Sequence, residues 1–436
     1  VTPPDTTVVG VSDAARAALV DLLSAYAARR PGWDPEAPVR VLEAEALVAG
    51  RPGIVDVIAD AGGRLVHVVL GLRSPGDQPR VVPDGDDGVI GEFEDHDGPA
   101  VVIDATRDPE VAAMLLQQVS GEEVGPNLVR LLREDPSSVT LAMEDRISFT
   151  VYNHIVDGPR PELEVFLALD ETGFNHLAAP VGVWRRAGRD LGVVQEYLPG
   201  ASSGYALAMT SVRDLYASGG PPELAGGDFG AEAHRIGTMT ARMHLCLDKA
   251  FGRRTGDMAQ WARDVEASLR ELEPAILDRP EVVQVLGELR ALQVPSEAIR
   301  THGDFHLGRT CRTEQGWYVV DFAAGGRPTS NAGAVVAPGG EGPVFRSPVA
   351  DVADMLWSFG LVARTAADER DPSGREGLSE LAQAWETRNR RAFLAGYLGV
   401  PGISGLVPPG RDALRVLTEA FELVRAAVHE ARSNRD

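Results

Sequence analysis

The chain has 436 residues, a formal net charge of −22 and a hydrophobic content of 44%. This length and composition describe a globular chain of about two or three domains with a sizeable core, and no apolar run reaches the roughly eighteen residues of a membrane span. The acidic balance opposes nucleic-acid and anionic-membrane partners, which require basic patches, and it suits a neutral or cationic small molecule.

Cys246 and Cys311 are the two cysteines. They are too few for a disulfide framework and agree with a reducing compartment. No basic stretch followed by an apolar core stands near Val1, so a cytoplasmic location is expected, as is a monomer or weak dimer. The chain contains a single lysine, Lys249. Any chemistry that needs a compact ammonium must use Lys249 or do without it.

In chain order, residues 12–28 predict a helix capped by Ser12 or Asp13, with Ala15, Leu19, Leu22 and Leu23 on one face. Strands follow at Val39–Val48, Ile54–Ile58 and Leu65–Leu70, the last two flanking the Gly62-Gly63 turn signal. Residues 76–99 are rich in Asp, Gly and Pro and read as loop. Val101–Asp104 reads as a strand and Pro109–Val119 as a helix.

A second β-rich region carries Val139–Met143 and Ile147–Tyr152 around a Glu144-Asp145 turn. It continues with a helix at Pro161–Glu171, then Val181–Arg185 and Leu191–Tyr197 around Ala187-Gly188-Arg189. From residue 201 helices dominate: Tyr205–Ala217, Gly230–Phe251, a helix marked by Trp261, Val265, Leu269, Leu272 and Ile276 that ends near Pro280, Val349–Ala363, 378–398 and 411–432. His244 and Cys246 on the second of these read as core residues. Thr329–Gly342, rich in Gly, Ala, Ser and Pro, is a lid candidate or a plain surface loop.

The segment 299–321 carries the chemistry. Asp304 stands in a His302-Gly303-Asp304 turn, and the apolar strand Trp317–Val320 ends on a second carboxylate, Asp321. A hairpin turning at Glu314-Gln315-Gly316 brings the two carboxylates near one point. Two carboxylates held this way suit phosphoryl transfer: one orients and deprotonates a hydroxyl, the other holds Mg²⁺ on nucleotide phosphates. A His-Gly-Asp or a strand-ending Asp alone marks only a turn or a cap.

From about residue 100 onward the chain resembles the actinobacterial maltokinase-like proteins, which are related to aminoglycoside phosphotransferases. The resemblance rests on Pro180-Val181-Gly182, Val194 to Gly200 and Thr240-Ala241-Arg242-Met243-His244. It continues through His302 to Gly308, Asp351-Val352-Ala353, Ser358-Phe359, Arg388-Asn389-Arg390 and Gly396-Tyr397. It implies an α+β, bilobal protein-kinase-like (aminoglycoside phosphotransferase-like) fold with an extra N-terminal α+β cap module. The implied divisions are a cap at 1–120, a β-rich small lobe at 121–198 ending in the hinge, and a mainly helical large lobe at 199–436.

The resemblance also implies an ATP- and Mg²⁺-dependent sugar kinase. Asp304 is then the catalytic base, Asp321 the metal ligand and Asp351 a brace for the catalytic loop, while Gln195, Glu196, Tyr197 and Leu198 meet the nucleotide. His306, Trp385, Glu422, Arg425, His429 and Glu430 are the further candidates for the acceptor; Glu422, Arg425 and His429 share one helical face.

The sequence departs from that pattern at several points. Five residues after Asp304, where an amide is usual, stands Arg309, which has no acceptor and cannot ligate a cation; it could instead clamp phosphate as a catalytic residue. Thr150 stands where the small-lobe lysine is expected, so Glu164 lacks its usual partner, with Arg146 a substitute candidate. Asp321-Phe322 is followed by Ala323-Ala324-Gly325-Gly326 rather than Glu and then Gly-Glu-Pro. These departures turn the expectation from maltose toward the branch that phosphorylates glucosamine, a cationic sugar. Maltokinase and aminoglycoside phosphotransferase remain alternatives, as does an inactive nucleotide- or sugar-sensing pseudokinase.

Overall fold

The computed structural model describes residues 9–10, 13–27, 34, 36–77, 88–95, 98–225, 227–322, 334–335, 344–373 and 377–433. Ser12, the tetrapeptide Ala323–Gly326 and all of Thr329–Gly342 except Ala334–Val335 lie outside them. The chain divides into two compact units, residues 1–160 with 178–199, and residues 161–177 with 200–436. Among the described residues no helix is long and apolar enough to cross a membrane.

The first unit holds two antiparallel sheets. Strands β1 (Val9–Gly10), β2 (Val39–Val48), β3 (Gly53–Ala61), β4 (Arg64–Arg73), β5 (Val89–Asp95) and β6 (Gly98–Asp104) form one, in the order β1-β2-β3-β4-β6-β5. Helix α1 (Asp13–Ala27) supplies Leu19, Leu23 and Tyr26 to a core shared with Val57, Val66, Val68, Leu70 and Val102. Strand β5 falls where the sequence predicts loop. Its Asp and Gly content hides an edge strand that buries Ile90 and pairs with β6 on one side only.

Helix α2 (Pro109–Ser120) is capped by Asp108, whose Oδ1 accepts from the N–H groups of Glu110 and Val111. Arg73 grips the same carboxylate with Nε and Nη2 at 2.9 and 2.8 Å. The second sheet comprises β7 (Val129–Asp135), β8 (Ser138–Met143), β9 (Ile147–Tyr152), β10 (Pro180–Arg186) and β11 (Arg189–Glu196), in the order β10-β11-β9-β8-β7. The sequence reading missed β7, a charged edge strand.

The two sheets of this unit meet over a buried polar cluster. His67 of β4 reaches the Tyr152 carbonyl at 2.6 Å through Nδ1 and Asp56 at 2.7 Å through Nε2. Arg186 of β10 faces the other Asp56 oxygen at 2.5 Å, and the Trp184 ring lies edge-on to His67 at 5.0 Å. Each ion offsets the cost of burying the other, which is the condition for carrying charge in an apolar interior.

Helix α3 (Pro161–Glu171), which the sequence divisions place in the small lobe, groups with the second unit. That unit contains α4 (Gly204–Ser218), α5 (Gly230–Phe251), α6 (Met258–Leu272), α7 (Pro280–Ala291), α8 (Val349–Arg370), α9 (Ser379–Leu398) and α10 (Arg411–Ser433). The helix expected to run to Pro280 ends at Leu272. Ile276 sits in a short 3-10 turn, and Pro280 opens α7, where its missing N–H costs nothing.

Glycine lets α5 and α9 touch. A Cβ on Gly237 would stand 2.1 Å from the Phe393 carbonyl oxygen, and one on Gly396 would stand 2.0 Å from that of His234. Trp261, Val265 and Leu269 of α6 pack with Leu417, Phe421 and Val424 of α10 and with Val349 and Ala353 of α8. Strand β12 (Ser202–Ser203) pairs with β15 (Thr310–Arg312), which pairs with β16 (Trp317–Val319). The remaining short strands are β13 (Arg254–Asp257), β14 (Pro295–Ala298), β17 (Ala334–Val335) and β18 (Phe345–Arg346).

Candidate functional site

The hairpin expected between the two carboxylates is present. Thr310 faces Val319, Cys311 faces Tyr318 and Arg312 faces Trp317, and the Thr313 N–H donates to the Gly316 carbonyl at 2.9 Å. Asp304 and Asp321 lie beyond its open end. His302 ties the two flanks together. Its Nδ1 accepts from the Asp304 N–H at 3.4 Å, and its Nε2 donates to the Val320 carbonyl at 3.2 Å. Burial pushes the His302 imidazole down from its ordinary value, which fits a neutral ring with one accepting nitrogen. The ring also lies 4.8 Å from that of Phe322.

Asp321 has a backbone φ of 55°. A non-glycine residue in the left-handed region costs about 1 kcal/mol, and such strain collects where a side chain must be aimed. The Val320 N–H donates to the Arg309 carbonyl at 3.0 Å, so the residue before the bend is held on both sides.

Asp351, at the start of α8, accepts the His302 N–H at 2.8 Å on Oδ2 and the Gly303 N–H at 3.0 Å on Oδ1. His244 of α5 supplies a further contact at 3.1 Å through Nε2, and its Nδ1 meets the Tyr397 hydroxyl of α9 at 2.9 Å. Burial pushes the Asp351 carboxyl up, but the hydrogen bond and charge of His244 outweigh it, and the carboxyl lies below its ordinary range. Ser358, two turns along α8, accepts from the Leu307 N–H at 3.3 Å. The turn carrying Asp304 is therefore fixed by one helix at three backbone positions.

Asp304 meets three basic side chains. Arg425 of α10 donates to Oδ1 at 2.6 Å, Arg309 donates to Oδ2 at 3.0 Å, and His306 Nε2 lies 3.7 Å from Oδ2. His306 Nδ1 accepts from the Gly308 N–H at 3.1 Å, which leaves its proton on the nitrogen facing Asp304. Burial alone would raise the Asp304 carboxyl; His306 and the Arg425 guanidinium overcome it and hold it well below the usual carboxylate range. Arg309 also donates to Asp321 at 3.2 Å, so it bridges the two carboxylates.

Behind this cluster lies Asp354, one turn after Asp351 and buried. Burial pushes its carboxyl up to about 7, against the opposing fields of Arg425 and Arg346 and with those of Asp351 and Asp304. A raised carboxyl favours the protonated folded state. Its contribution to stability is full below the ordinary range near pH ~4 and declines as pH rises to about 7. Asp354→Asn should abolish that decline. The melting temperature of the variant minus that of the parent should increase between pH ~4 and ~7; a flat difference would contradict the assignment.

The remaining candidates separate. Arg425 belongs to the cluster and also lies over the Trp357 ring, 5.5 Å from its centroid. His429 packs on the same indole at 5.0 Å. Glu422 takes a two-pronged grip from Arg390 at 2.5 and 3.0 Å. With Trp357, Arg364, Glu386, Arg390 and Glu419 it lines a cavity of about 350 Å³. Burial pushes the Glu422 carboxyl up while Arg390 opposes.

Trp385 is corrected to a core residue. It is 2% exposed, lies among Phe229 and Phe359, and donates to Ser211 Oγ at 3.0 Å. Glu430 is exposed, 3.9 Å from Arg279. A groove of about 960 Å³ along α5 and α9 contains none of the Asp304 cluster.

Glu164 has a partner the sequence reading did not supply. Arg300, on the segment entering the His302-Gly303-Asp304 turn, approaches it at 3.1 Å and lies over Phe251. Arg146 is engaged instead with Glu122 at 2.7 Å, and Thr150 meets Thr140 at 3.0 Å. In the first unit, the Glu196 and Tyr197 N–H groups donate to the Ala179 and Arg146 carbonyls, each at 2.8 Å. Gln195 is paired across to Pro180 and Ser148. The Tyr197 hydroxyl accepts from Arg130 at 2.7 Å.

The residues suit a nucleotide-borne Mg²⁺ better than an all-protein metal site. Asp321 is one-third exposed, and Mg²⁺ is commonly held by one or two carboxylates together with phosphates and water. Among the described residues no group of three or more His, Cys, Asp or Glu side chains could hold a metal ion.

The architecture is that of an α+β kinase-like fold. A solved glucosamine kinase in complex with glucosamine, ADP and inorganic phosphate superposes with a TM-score of 0.64 at 22% identity, over 95% of this chain and 94% of that one. A glucosamine kinase in another crystal form gives 0.59 at 22% identity, over 92% and 88%. At that identity the likeness establishes the α+β kinase fold. In sequence, the chain is similar to a glucosamine kinase of Streptacidiphilus jiangxiensis, 30% identical over 256 residues. That match takes in 54% of this chain, which thus spans about half (53%) of the curated relative. No protein-family model matches the chain.

Proposed function

We propose that this protein is an ATP-dependent kinase of a small amino sugar, glucosamine, forming glucosamine 6-phosphate in the cytoplasm. The observation that carries the proposal is Asp304: an ionised carboxylate, fixed by a helix-braced turn and faced by Asp321, Arg309 and Arg425. The similarity to glucosamine kinases in sequence and fold supports it.

In this reading Asp304 accepts the proton of the sugar hydroxyl as the oxygen attacks the γ-phosphorus. The new oxygen–phosphorus bond forms as the bond from the γ-phosphorus to the bridging oxygen breaks, and ADP departs with that oxygen. Because His306 and Arg425 keep Asp304 ionised, it is competent as an acceptor throughout the neutral range. Mg²⁺, brought by the nucleotide and held at Asp321, would neutralise phosphate charge. Arg309 stabilises the charge on the group in flight. The Glu196 and Tyr197 N–H groups are committed to the Ala179 and Arg146 carbonyls and are not available to a ligand.

The cavity beside Trp357 has the volume of one sugar ring and is lined by Glu386, Glu419 and Glu422 together with Arg364 and Arg390. Arg390 already engages Glu422 and Glu386, and none of the Asp304 cluster lines the cavity, so an ammonium would have to displace arginine contacts there. The test is ADP release with ATP and Mg²⁺ across glucosamine, N-acetylglucosamine, maltose and kanamycin. Turnover on glucosamine at least tenfold above N-acetylglucosamine is expected, since a site built for a charged amine leaves its carboxylates unpaired when the amine is capped. Equal turnover on both, or preference for maltose or kanamycin, would overturn the substrate assignment.

A further inference from the structure

Arg309 occupies an unusual place. Its two terminal nitrogens reach different carboxylates, Nη2 to Asp304 at 3.0 Å and Nη1 to Asp321 at 3.2 Å. Those carboxylates come from opposite ends of a hairpin, so the fork spans the gap between them. A guanidinium carries five donors, no acceptor and a charge that persists at every accessible pH. It repels a divalent ion and offers it no ligand. Any ion that joined Asp304 to Asp321 would have to stand where the guanidinium stands.

A second observation points outward to a ligand. Arg309 Nε is buried and has no hydrogen-bond partner among the described residues. An unmet buried donor costs about 1–3 kcal/mol, and an acceptor-rich anion relieves it. Asp304 and Asp321 cannot both relieve it without giving up the contacts they already make. A phosphoryl group, with oxygens on every side, can.

We infer that Arg309 is a built-in replacement for a bridging metal ion, so that this protein works with one divalent cation, carried in by the nucleotide, rather than two. Without nucleotide the guanidinium holds Asp304 and Asp321 together and closes the pair to metal. With nucleotide it exchanges one or both carboxylates for phosphate oxygens, its Nε included, and Asp321 takes the incoming ion. This inference rests on the kinase reading for the nucleotide, but its content, the number of ions, is read separately from turnover.

The experiment counts bound Mn²⁺, as a paramagnetic stand-in for Mg²⁺, by electron paramagnetic resonance on the full chain, with and without ADP, at physiological salt to suppress binding to the acidic surface. The comparison set is the parent chain, Arg309→Gln, which supplies an amide oxygen, and Arg309→Lys, which keeps the charge. The parent and Arg309→Lys should hold no specific ion without ADP and one with it. Arg309→Gln should hold two with ADP, and should bind Mn²⁺ without nucleotide at least tenfold more tightly than the parent. Two ions in the parent, or equal counts in the parent and Arg309→Gln, would overturn the inference. If Arg309→Gln fails to fold, the count in the parent decides alone.

The two readings fail separately. One bound ion with ADP but no phosphate transferred to any sugar would sink the kinase proposal and leave the ion count standing. Sugar phosphorylation with two bound ions would do the reverse. A chain that binds no ADP would overturn both.

Discussion

Asp304→Asn is expected to lower kcat for sugar phosphorylation by about a thousandfold, with the melting temperature within a few degrees of the parent. The amide has the same shape and keeps one acceptor, so it retains the hydrogen bond from Arg425 on the Oδ1 side or from Arg309 on the Oδ2 side, but not both. It cannot take a proton from a hydroxyl. Because the parent carboxyl lies well below the usual range, the loss should be constant from pH ~6 to ~8 rather than recovering at one end. Steady-state rates beside a thermal melt check this, and a fall smaller than tenfold would remove Asp304 from the role of base.

The second large effect is on stability. Asp351 uses both oxygens to hold the His302 and Gly303 N–H groups and to meet His244, all fully or nearly fully buried. Asp351→Asn keeps the shape but replaces one acceptor by an NH₂ group facing an N–H. It also leaves His244 without its carboxylate. Breaking a buried ionic network in this way costs about 3–5 kcal/mol. Urea denaturation should show that loss, and the kinase rate should fall with it because the turn carrying Asp304 loses its brace. The depressed Asp351 carboxyl adds stability above its ordinary value, and that contribution disappears as pH falls through its folded value. The gap between variant and parent should therefore narrow in acid. A cost below about 1 kcal/mol would show that Ser358 and the hairpin hold the turn unaided.

The parts of the site that lie close in sequence were legible there. The His-Gly-Asp turn, the hairpin and Asp321 fall within twenty residues, and their geometry follows from turn signals and an apolar strand. Arg309 was readable as a residue that cannot ligate metal, and the hairpin explains why it reaches both carboxylates. The long-range contacts were not legible. Arg425 stood on a polar helical face, but nothing in that face says that its partner is Asp304, 121 residues earlier. Arg300 as the partner of Glu164, and the Asp56–His67–Arg186 cluster, are likewise consequences of tertiary packing.

Trp385 shows a signal that was present and passed over. Trp385, Asn389, Phe393 and Tyr397 recur every four residues, and all are buried. That spacing marks the core face of α9, and the indole belongs to it, whereas the neighbouring Glu386 and Arg390 face the cavity. The missed strands β5 and β7 have a different cause. Both are edge strands rich in charge, where one unpaired side tolerates the residues that make a segment read as loop.

Phosphorus NMR of the reaction of ATP, Mg²⁺ and glucosamine with this protein tests the central claim most directly. The account predicts a glucosamine 6-phosphate resonance growing in step with ADP, and none with Asp304→Asn. ADP accompanied only by inorganic phosphate, or no reaction while nucleotide is bound, would contradict it and make the protein a nucleotide-binding relative without sugar kinase activity.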